Sequence, residues 1–291
     1  WTPSRGARGC TRACLPVDRA APPMTDAAYS GLRDKDSLKK PREGRLQEML
    51  RAITFDCWQT LLDDGNNPRV DALRASGVAE ALTKAGHPFT PDEVQDAIIA
   101  VRKDAHLRQE IMGMDMPPEE QSEIMLQKLQ VPPSPELVAE VAKSYSGAIL
   151  HAPPPAMAGA PEAVARLAER FRLGLICNTG ATPGATVRLL LLRSGIQIDA
   201  FQTMFFSDEN GIAKPNPAVF RRVLGQMGVE PAEAVHVGDH LQTDVRGALA
   251  VGMRAIWFSG VEASGQAEGV WVARDMVHLV SLVQEIADCA A

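Results

Sequence analysis

Asp56, Lys214, Asp239 and Asp244 are the residues in this sequence whose types and positions could do chemistry. Asp56 follows Ile53-Thr54-Phe55, and Gly238-Asp239 follows Ala234-Val235-His236-Val237. Lys214 lies a few residues past the run from Phe201 to Phe206, while Leu173-Gly174-Leu175-Ile176 ends at Cys177-Asn178-Thr179. Short apolar, β-branched or aromatic runs of this kind read as buried strands. In an open α/β sheet the crevice lies outside the carboxyl ends of the strands, so the four signals would converge there. Taken alone, Asp56 has an ordinary reading as a cap where a strand hands over to a loop. Carboxylates brought together from separate strand ends repel one another unless a cation neutralises them. A set of oxygen donors without a His or Cys cluster suits Mg2+, a hard ion held by a few carboxylates together with substrate phosphate. Lys214 would supply fixed positive charge for an anionic substrate or a transferred phosphoryl group. One Asp beside the metal could then act as a covalent nucleophile, dividing a displacement into two steps.

The elements that must position these groups alternate along the second half of the chain. Helical patterns at residues 161–170, 184–192, 218–227, 244–251 and 275–287 separate the strand runs, and residues 254–258 add another strand. This order implies right-handed βαβ units and an α/β fold: a Rossmann-like, mainly parallel sheet flanked by helices. After the first strand the pattern turns helical. Thr90-Pro91-Asp92-Glu93 carries the cap, first-position proline and third-position acid of a helix start. Val70 to Leu82, Pro117-Pro118-Glu119-Glu120 and Ser134-Pro135-Glu136 mark three further helices. Four helices without a convincing strand make an all-helical cap inserted after strand 1. It should stand over the carboxyl edge of the sheet and exclude water on closure. Pro153-Pro154-Pro155 is a stiff hinge candidate. The expected organisation is an α/β core at 49–64 and 153–291 and a helical cap at 65–152. Residues 1–48, aperiodic and rich in Arg, Ala, Pro and Gly, are expected to be a disordered or artefactual N-terminal extension, with Met24 and Met49 as alternative starts.

Composition narrows the classes of function. Of 291 residues, 45% are hydrophobic and 23% charged, and no stretch approaches the 18 or so uninterrupted apolar residues of a membrane span. The net charge of −6 is uneven: residues 1–50 hold ten Lys/Arg against six Asp/Glu, which leaves an acidic body. That argues against nucleic-acid binding. It would also repel an anionic substrate unless the pocket is locally basic or carries a metal. Cys10 and Cys14 lack a second pair to complete a zinc site, and Cys57 and Cys177 sit at strand ends expected to be buried. Reduced thiols in a cytoplasmic protein are the simple reading.

On these motifs the chain resembles the haloacid dehalogenase-like hydrolase superfamily, C1-capped subclass. The resemblance rests on Phe55-Asp56-Cys57-Trp58-Gln59-Thr60-Leu61, Ile176-Cys177-Asn178-Thr179, Lys214-Pro215-Asn216-Pro217 and Gly238-Asp239-His240-Leu241-Gln242-Thr243-Asp244, in that order. It implies that Asp56 is the nucleophile, that Thr60 steadies its loop and that Lys214 orders nucleophile and substrate. It implies a Mg2+ held by Asp56, the Trp58 backbone carbonyl, Asp239 and Asp244, with Cys177, Asn178 and Thr179 against the substrate. Two departures stand out. Family phosphatases carry a second Asp where this chain has Trp58, and an indole can neither protonate a leaving group nor activate water. Cys177 replaces a Ser or Thr and is a weaker hydrogen-bond donor. The expected function is Mg-dependent phosphate-ester hydrolysis through an aspartyl-phosphate on Asp56, acting on a small molecule, as a monomer or homodimer. The alternatives are a metal-independent 2-haloacid dehalogenase using Asp56, for which Arg69 and Arg74 are only loosely placed as a carboxylate clamp, and a catalytically weakened member that binds a phosphorylated ligand. A mutase is disfavoured, because it needs the acid/base that Trp58 replaces.

Other residues carry a plain reading beside a functional one. His236, inside a strand, reads as a packed or hydrogen-bonded core residue rather than a catalyst. His240 points nearer the crevice, towards a substrate or supporting role. Arg102, Lys103, His106 and Arg108 form a basic turn that is a solvated helix face by default, with Arg102 a candidate for a substrate anion. Trp58 either packs beneath the cap or walls the pocket. Asp208 and Glu209 are loop caps or contacts to the metal or lysine. Met112, Met114 and Met116 read as packing between cap helices.

Overall fold

Every residue of β1 (Ala52–Phe55) is buried, and the strand lies in the middle of a six-stranded sheet. The computed structural model describes residues 49–65, 67–260 and 269–288. The expectations for residues 1–48, including Cys10 and Cys14, lie outside these. The remaining strands are β2 (Arg172–Cys177), β3 (Phe201–Phe206), β4 (Ala234–Gly238), β5 (Arg254–Phe258) and β6 (Val270–Ala273). All neighbours pair in parallel, in the order β3-β2-β1-β4-β5-β6. The near-continuous apolar runs of β1, β2 and β4 follow from burial on both faces, as parallel sheets require. β6 was not expected from the sequence. Its four residues are too few for a periodic signal, and its two middle residues are half-exposed at the sheet edge.

Between β1 and β2 the chain forms α1 (Pro68–Lys84), α2 (Pro91–Met112), α3 (Pro118–Lys128) and α4 (Pro135–Gly147). Their starts obey local chemistry. Asn67, Thr90 and Ser134 accept hydrogen bonds from first-turn amides, and Thr90 with Glu93 closes a reciprocal capping box. These helices hold a core of their own, built from Val78, Leu82, Ile98, Val101, Met125, Leu126 and Tyr145. Burying each such side chain contributes about 1.5–3 kcal/mol, so the insert is cohesive apart from the sheet. Met112 and Met114, expected as packing, are exposed, whereas Met116 is buried.

The cap meets the core through backbone as well as side chains. α2 ends at Gly113, which adopts a left-handed φ of 61°. A Cβ there would also press on Asn216, so both conformation and space call for glycine. Met114 then bridges Ile212 in antiparallel fashion, Asp115 N donates to Gly211 O and Ala213 N donates to Gly113 O. The segment leading to Lys214 is thereby stitched to the end of a cap helix.

Around the sheet lie α5 (Ala160–Ala168), α6 (Gly184–Arg193), α7 (Pro217–Met227), α8 (Gly247–Val251) and α9 (Met276–Asp288). The helix expected over 244–251 begins instead as a wider π-helical turn, Leu241–Arg246. Among the described residues, no helix is long and apolar enough to cross a membrane.

Candidate active site

The strand order turns back at β1, which has β2 on one side and β4 on the other. This is the topological switch point at which open α/β sheets leave a crevice. Asp56 N donates to Val237 O at 2.8 Å, so the ladder continues one residue past β1 and fixes the Asp56 backbone at that point. The register sets Phe55 beside Leu175 and Val237, which brings the ends of β2 and β4 level with Asp56. Beyond Asp56 the loop folds on its own backbone, with Leu61 N and Leu62 N both donating to Cys57 O. Gln59 takes a left-handed φ of 56°, a strained conformation for a non-glycine residue beside the crevice.

Carboxylate oxygens of Asp56, Asp239 and Asp244 all lie within 4.8 Å of one another. The Lys214 side chain is 1% exposed, and its Nζ lies 2.5 Å from Asp56 Oδ1 and 2.7 Å from Asp244 Oδ1. Asn178 positions the lysine through a reciprocal pair: Lys214 N donates to Asn178 Oδ1 at 2.8 Å, and Asn178 Nδ2 donates to Lys214 O at 3.0 Å. The π-helical turn folds Asp244 back towards β4, where its Oδ2 accepts from His240 N at 2.9 Å. A Cβ on Gly238 would collide with the Asp244 carboxylate, so that close approach needs glycine.

One buried ammonium faces three buried or half-buried carboxylates, and their protonation divides accordingly. Burial pushes Asp244 up, but Lys214 and His236 outweigh it and hold the carboxyl well below its usual range. Asp56 is pushed up to about 7 by burial and by the Asp244 charge, against the pull of Lys214. Asp239 rises to about 8 through burial and repulsion from Asp56 and Asp244. Lys214 itself is held charged: burial lowers it, and the two carboxylates more than offset that.

His236 was expected to be a core residue, and it is buried, but it also supports the site. Its Nε2 lies 3.3 Å from Asp244 Oδ1 and its Nδ1 lies 2.8 Å from Thr54 Oγ1. Burial lowers its pKa, so the ring is neutral near pH 7. The carboxylate can only accept, which places the ring proton on Nε2 and makes the Thr54 hydroxyl the donor to Nδ1. Phe220 packs edge-on against the ring at 5.2 Å.

The other expected site residues divide into those near this cluster and those engaged elsewhere. Thr179 is buried, its N–H donating to Ser207 Oγ at 2.8 Å and its Oγ1 accepting from Asp208 N. The Cys177 thiol is hydrogen-bonded to Cys57 and pushed far up by burial, which leaves it no thiolate character. Thr60 is buried, and its Oγ1 has no hydrogen-bond partner, so backbone bonds rather than this hydroxyl hold the loop. Trp58 is half-buried and packs on the core cluster. Arg102 pairs with Asp71 at 2.8 Å within the cap through one guanidinium nitrogen. Arg74 is buried beside Tyr145 and Asp71. His240 reaches the cap, its Nε2 3.2 Å from Glu110 Oε1. Asp208 accepts from Gly184 N at the start of α6 and Glu209 pairs with Arg188, so both act as the loop contacts that were the plain reading.

Asp115 is a contact that the sequence reading missed. It is buried and accepts from Gln109 at 2.9 Å and from Ser207 at 2.7 Å, tying the end of the cap helix to the loop that holds Thr179. Its one signal was a lone acid among Met112, Met114 and Met116.

The model of the haloacid dehalogenase-like hydrolases matches residues 50–252. The chain belongs to this family. Among its relatives, the glyceraldehyde 3-phosphate phosphatase of Pyrococcus abyssi is 29% identical over 216 residues, covering 72% of this chain and 82% of that protein. The phosphoserine phosphatase of Thermus thermophilus is 44% identical over 99 residues, which span 33% of this chain and only 39% of the relative. Among solved structures, a 2-haloacid dehalogenase from Pseudomonas syringae aligns with a TM-score of 0.60 at 22% identity, covering 84% of this chain and all of that one. A HAD phosphatase from Thermococcus onnurineus aligns with a TM-score of 0.55 at 21% identity, covering 80% and 98%. These structural likenesses share the fold: a mainly parallel sheet with a helical C1-type cap inserted after its first strand. The chain is therefore a hydrolase of this family, and its acidic cluster is of a kind that could coordinate a divalent metal.

Proposed function

We propose that this hydrolase is a Mg-dependent phosphatase acting on a small phosphate monoester, with Asp56 as nucleophile. The observation that carries the reading is the convergence of Asp56, Asp239 and Asp244 on one point with Lys214 against two of them. The donor set fits the ion: three carboxylates from three positions, all oxygen, two of them driven towards neutrality by burial and by mutual repulsion, which a hard dication would offset. Asp56, Asp239 and Asp244 would hold Mg2+, with the Trp58 backbone carbonyl as a further ligand. When bound, the ion would supply positive charge to the oxygens of the transferring phosphoryl group.

The chain's own residues account for the rest. Lys214 holds Asp56 Oδ1 at 2.5 Å, which leaves Oδ2 for attack and pulls towards the ionised carboxylate against the effect of burial. Asp56 attacks phosphorus, the ester oxygen leaves with the bonding pair, and water later opens the aspartyl-phosphate to return Asp56 and phosphate. Trp58 offers no proton to the leaving oxygen, so esters with good leaving groups should react best. Asn178 and the Thr179–Ser207 pair would hold lysine and substrate loop in register. The phosphatase names of the Pyrococcus and Thermus relatives support the substrate class.

A panel of aryl, acyl and sugar phosphates together with 2-chloro acids, with and without Mg2+, tests this. Metal-dependent phosphate release that disappears in Asp56→Asn is the expected result. Chloride release without metal would overturn it in favour of a dehalogenase.

A further inference from the structure

Among the described residues, one other group of side chains brings metal-ligating atoms together outside the acidic trio. His106 and Glu110 lie one turn apart on α2, and His240 comes from the loop after β4; their donor atoms all lie within 4.8 Å of one another. His106 Nε2 is 3.3 Å from Glu110 Oε1, and His240 Nε2 is 3.2 Å from the same oxygen. The two imidazoles meet edge to face at 5.8 Å. Two histidine nitrogens and a carboxylate suit Zn2+ and its neighbours, whereas Mg2+ prefers oxygen donors. With Zn–N and Zn–O bonds of about 2.0–2.2 Å, adjacent ligands of a tetrahedral ion stand roughly 3.3 Å apart. Both nitrogen–oxygen separations match that edge.

We propose that His106, Glu110 and His240 form a second metal site, selective for a Zn2+-class transition ion, that pins the helical cap to the loop carrying Asp239. Two ligands come from the cap and one from the core, so an ion held by all three resists their separation. The fourth coordination position stays open to water. Cap opening is what admits substrate and releases product, so occupancy slows turnover. Loading has one local cost. Thr243 N donates to His240 Nδ1 at 3.3 Å, which leaves the ring proton on Nε2. An ion at Nε2 moves that proton to Nδ1 and gives up this long hydrogen bond. No oxidant or reductant is involved.

The test uses the full chain, stripped of metal and then kept in excess Mg2+ so that the acidic trio is filled. Co2+ is titrated while the visible absorption of its tetrahedral form is followed, and Zn2+ uptake is measured by calorimetry. The expected result is one site in the unaltered chain. His106→Ala and Glu110→Gln should weaken it by at least the roughly 10–100-fold that losing even an outer-shell partner costs. His106→Cys, which keeps a ligand at that position, should retain tetrahedral Co2+. In turnover assays Zn2+ should inhibit the unaltered chain and spare His106→Ala, whose zinc-free activity stays near the original. Uptake that is unchanged in His106→Ala and Glu110→Gln places the ion elsewhere and overturns the proposal, as does no uptake while Mg2+ is present. The binding readouts need no substrate, and the His106 and Glu110 variants leave the acidic trio intact, so a failure here is distinguishable from a failure of the phosphatase reading.

Discussion

Freed of metal, the protein should lose stability as the pH rises from about 4 to about 8, the reverse of ordinary acid denaturation. Asp56 moves from a reference of 3.8 to about 7 on folding. A carboxyl raised in this way keeps a proton that the unfolded chain has already lost. Its stabilising contribution is therefore complete below the unfolded pKa of 3.8 and is lost as pH rises through about 7. Three units at about 1.36 kcal/mol each give a swing of ~4 kcal/mol. Asp239 moves the same way, to about 8, but the two repel each other, so adding a second full swing would count that repulsion twice. Asp244 is depressed, so its contribution is present above its reference value of 3.8 and is lost as pH falls below it; His236, lowered by burial, adds an opposing rise below its ordinary 6.5, which Asp56→Asn leaves in place. For a folded unit of roughly 230 residues, unfolding entropy is about 0.5 kcal/mol/K, so ~4 kcal/mol lowers the melting midpoint by about 8 °C. On the proposed reading Mg2+ takes up the ionised carboxylates and should reverse the trend, its stabilisation growing with pH. Thermal unfolding in EDTA and in Mg2+ across this range, for the unaltered chain and for Asp56→Asn, measures all of this. Asn removes the titrating group and the Asp56 share of the repulsion on Asp239, while burial and Asp244 still raise Asp239, so the slope in EDTA should become shallower. A midpoint in EDTA that stays level or climbs with pH, or a slope that survives Asp56→Asn intact, refutes the reasoning.

Two further outcomes follow from the same geometry. Trp58→Asp should raise turnover of alkyl phosphates by up to about 10²-fold, since it restores a proton donor to a poorly leaving oxygen, while aryl phosphates gain little; the ratio of kcat between the two classes is the readout. His236→Leu removes the ring that holds Asp244 Oδ1 and should weaken Mg2+ binding by roughly 10–100-fold in calorimetry, with kcat at saturating metal much less affected and His236→Gln partly restoring affinity.

The sheet was legible because parallel strands buried on both faces must be short apolar runs, and their carboxyl ends can be read from where those runs stop. Asp56, Cys177, Asp239 and Asp244 were placed on that basis, and the structure brings the three acids together. Lys214 was legible for a different reason: Pro215 and Pro217 mark the helix start that follows it. The contacts between cap and core were not legible. Glu110 meets His240, Asp115 meets Ser207 and Arg102 turns to Asp71 because of how an inserted unit docks, and helical periodicity says only which face is apolar. The polar face of α2 reads alike whether it meets water or the core. His236 was assigned to the core on burial alone, since nothing in Ala234-Val235-His236-Val237 reveals that its two nitrogens join Thr54 to Asp244.

The charge count of the crevice bears on the choice between phosphatase and dehalogenase more than Trp58 does. An aromatic residue two positions after Asp56, the proposed nucleophile, removes one proton-transfer step, which is compatible with either chemistry. Free of metal, burial and mutual repulsion hold Asp56 and Asp239 partly protonated near neutral pH, so ionising all three acids against one ammonium costs free energy that a dication would offset. A 2-haloacid arrives as an anion with no dication, and needs Asp56 ionised beside two further acids. A phosphate ester arrives as an anion as well, but together with a dication whose ligands are these same carboxylates, so nucleophile, metal and substrate are neutralised in a single assembly. Lys214 is committed to Asp56 and Asp244 at 2.5 and 2.7 Å, and alone it cannot compensate all three acids. The acid pair at 239 and 244 therefore favours metal-dependent phosphate chemistry whatever occupies position 58.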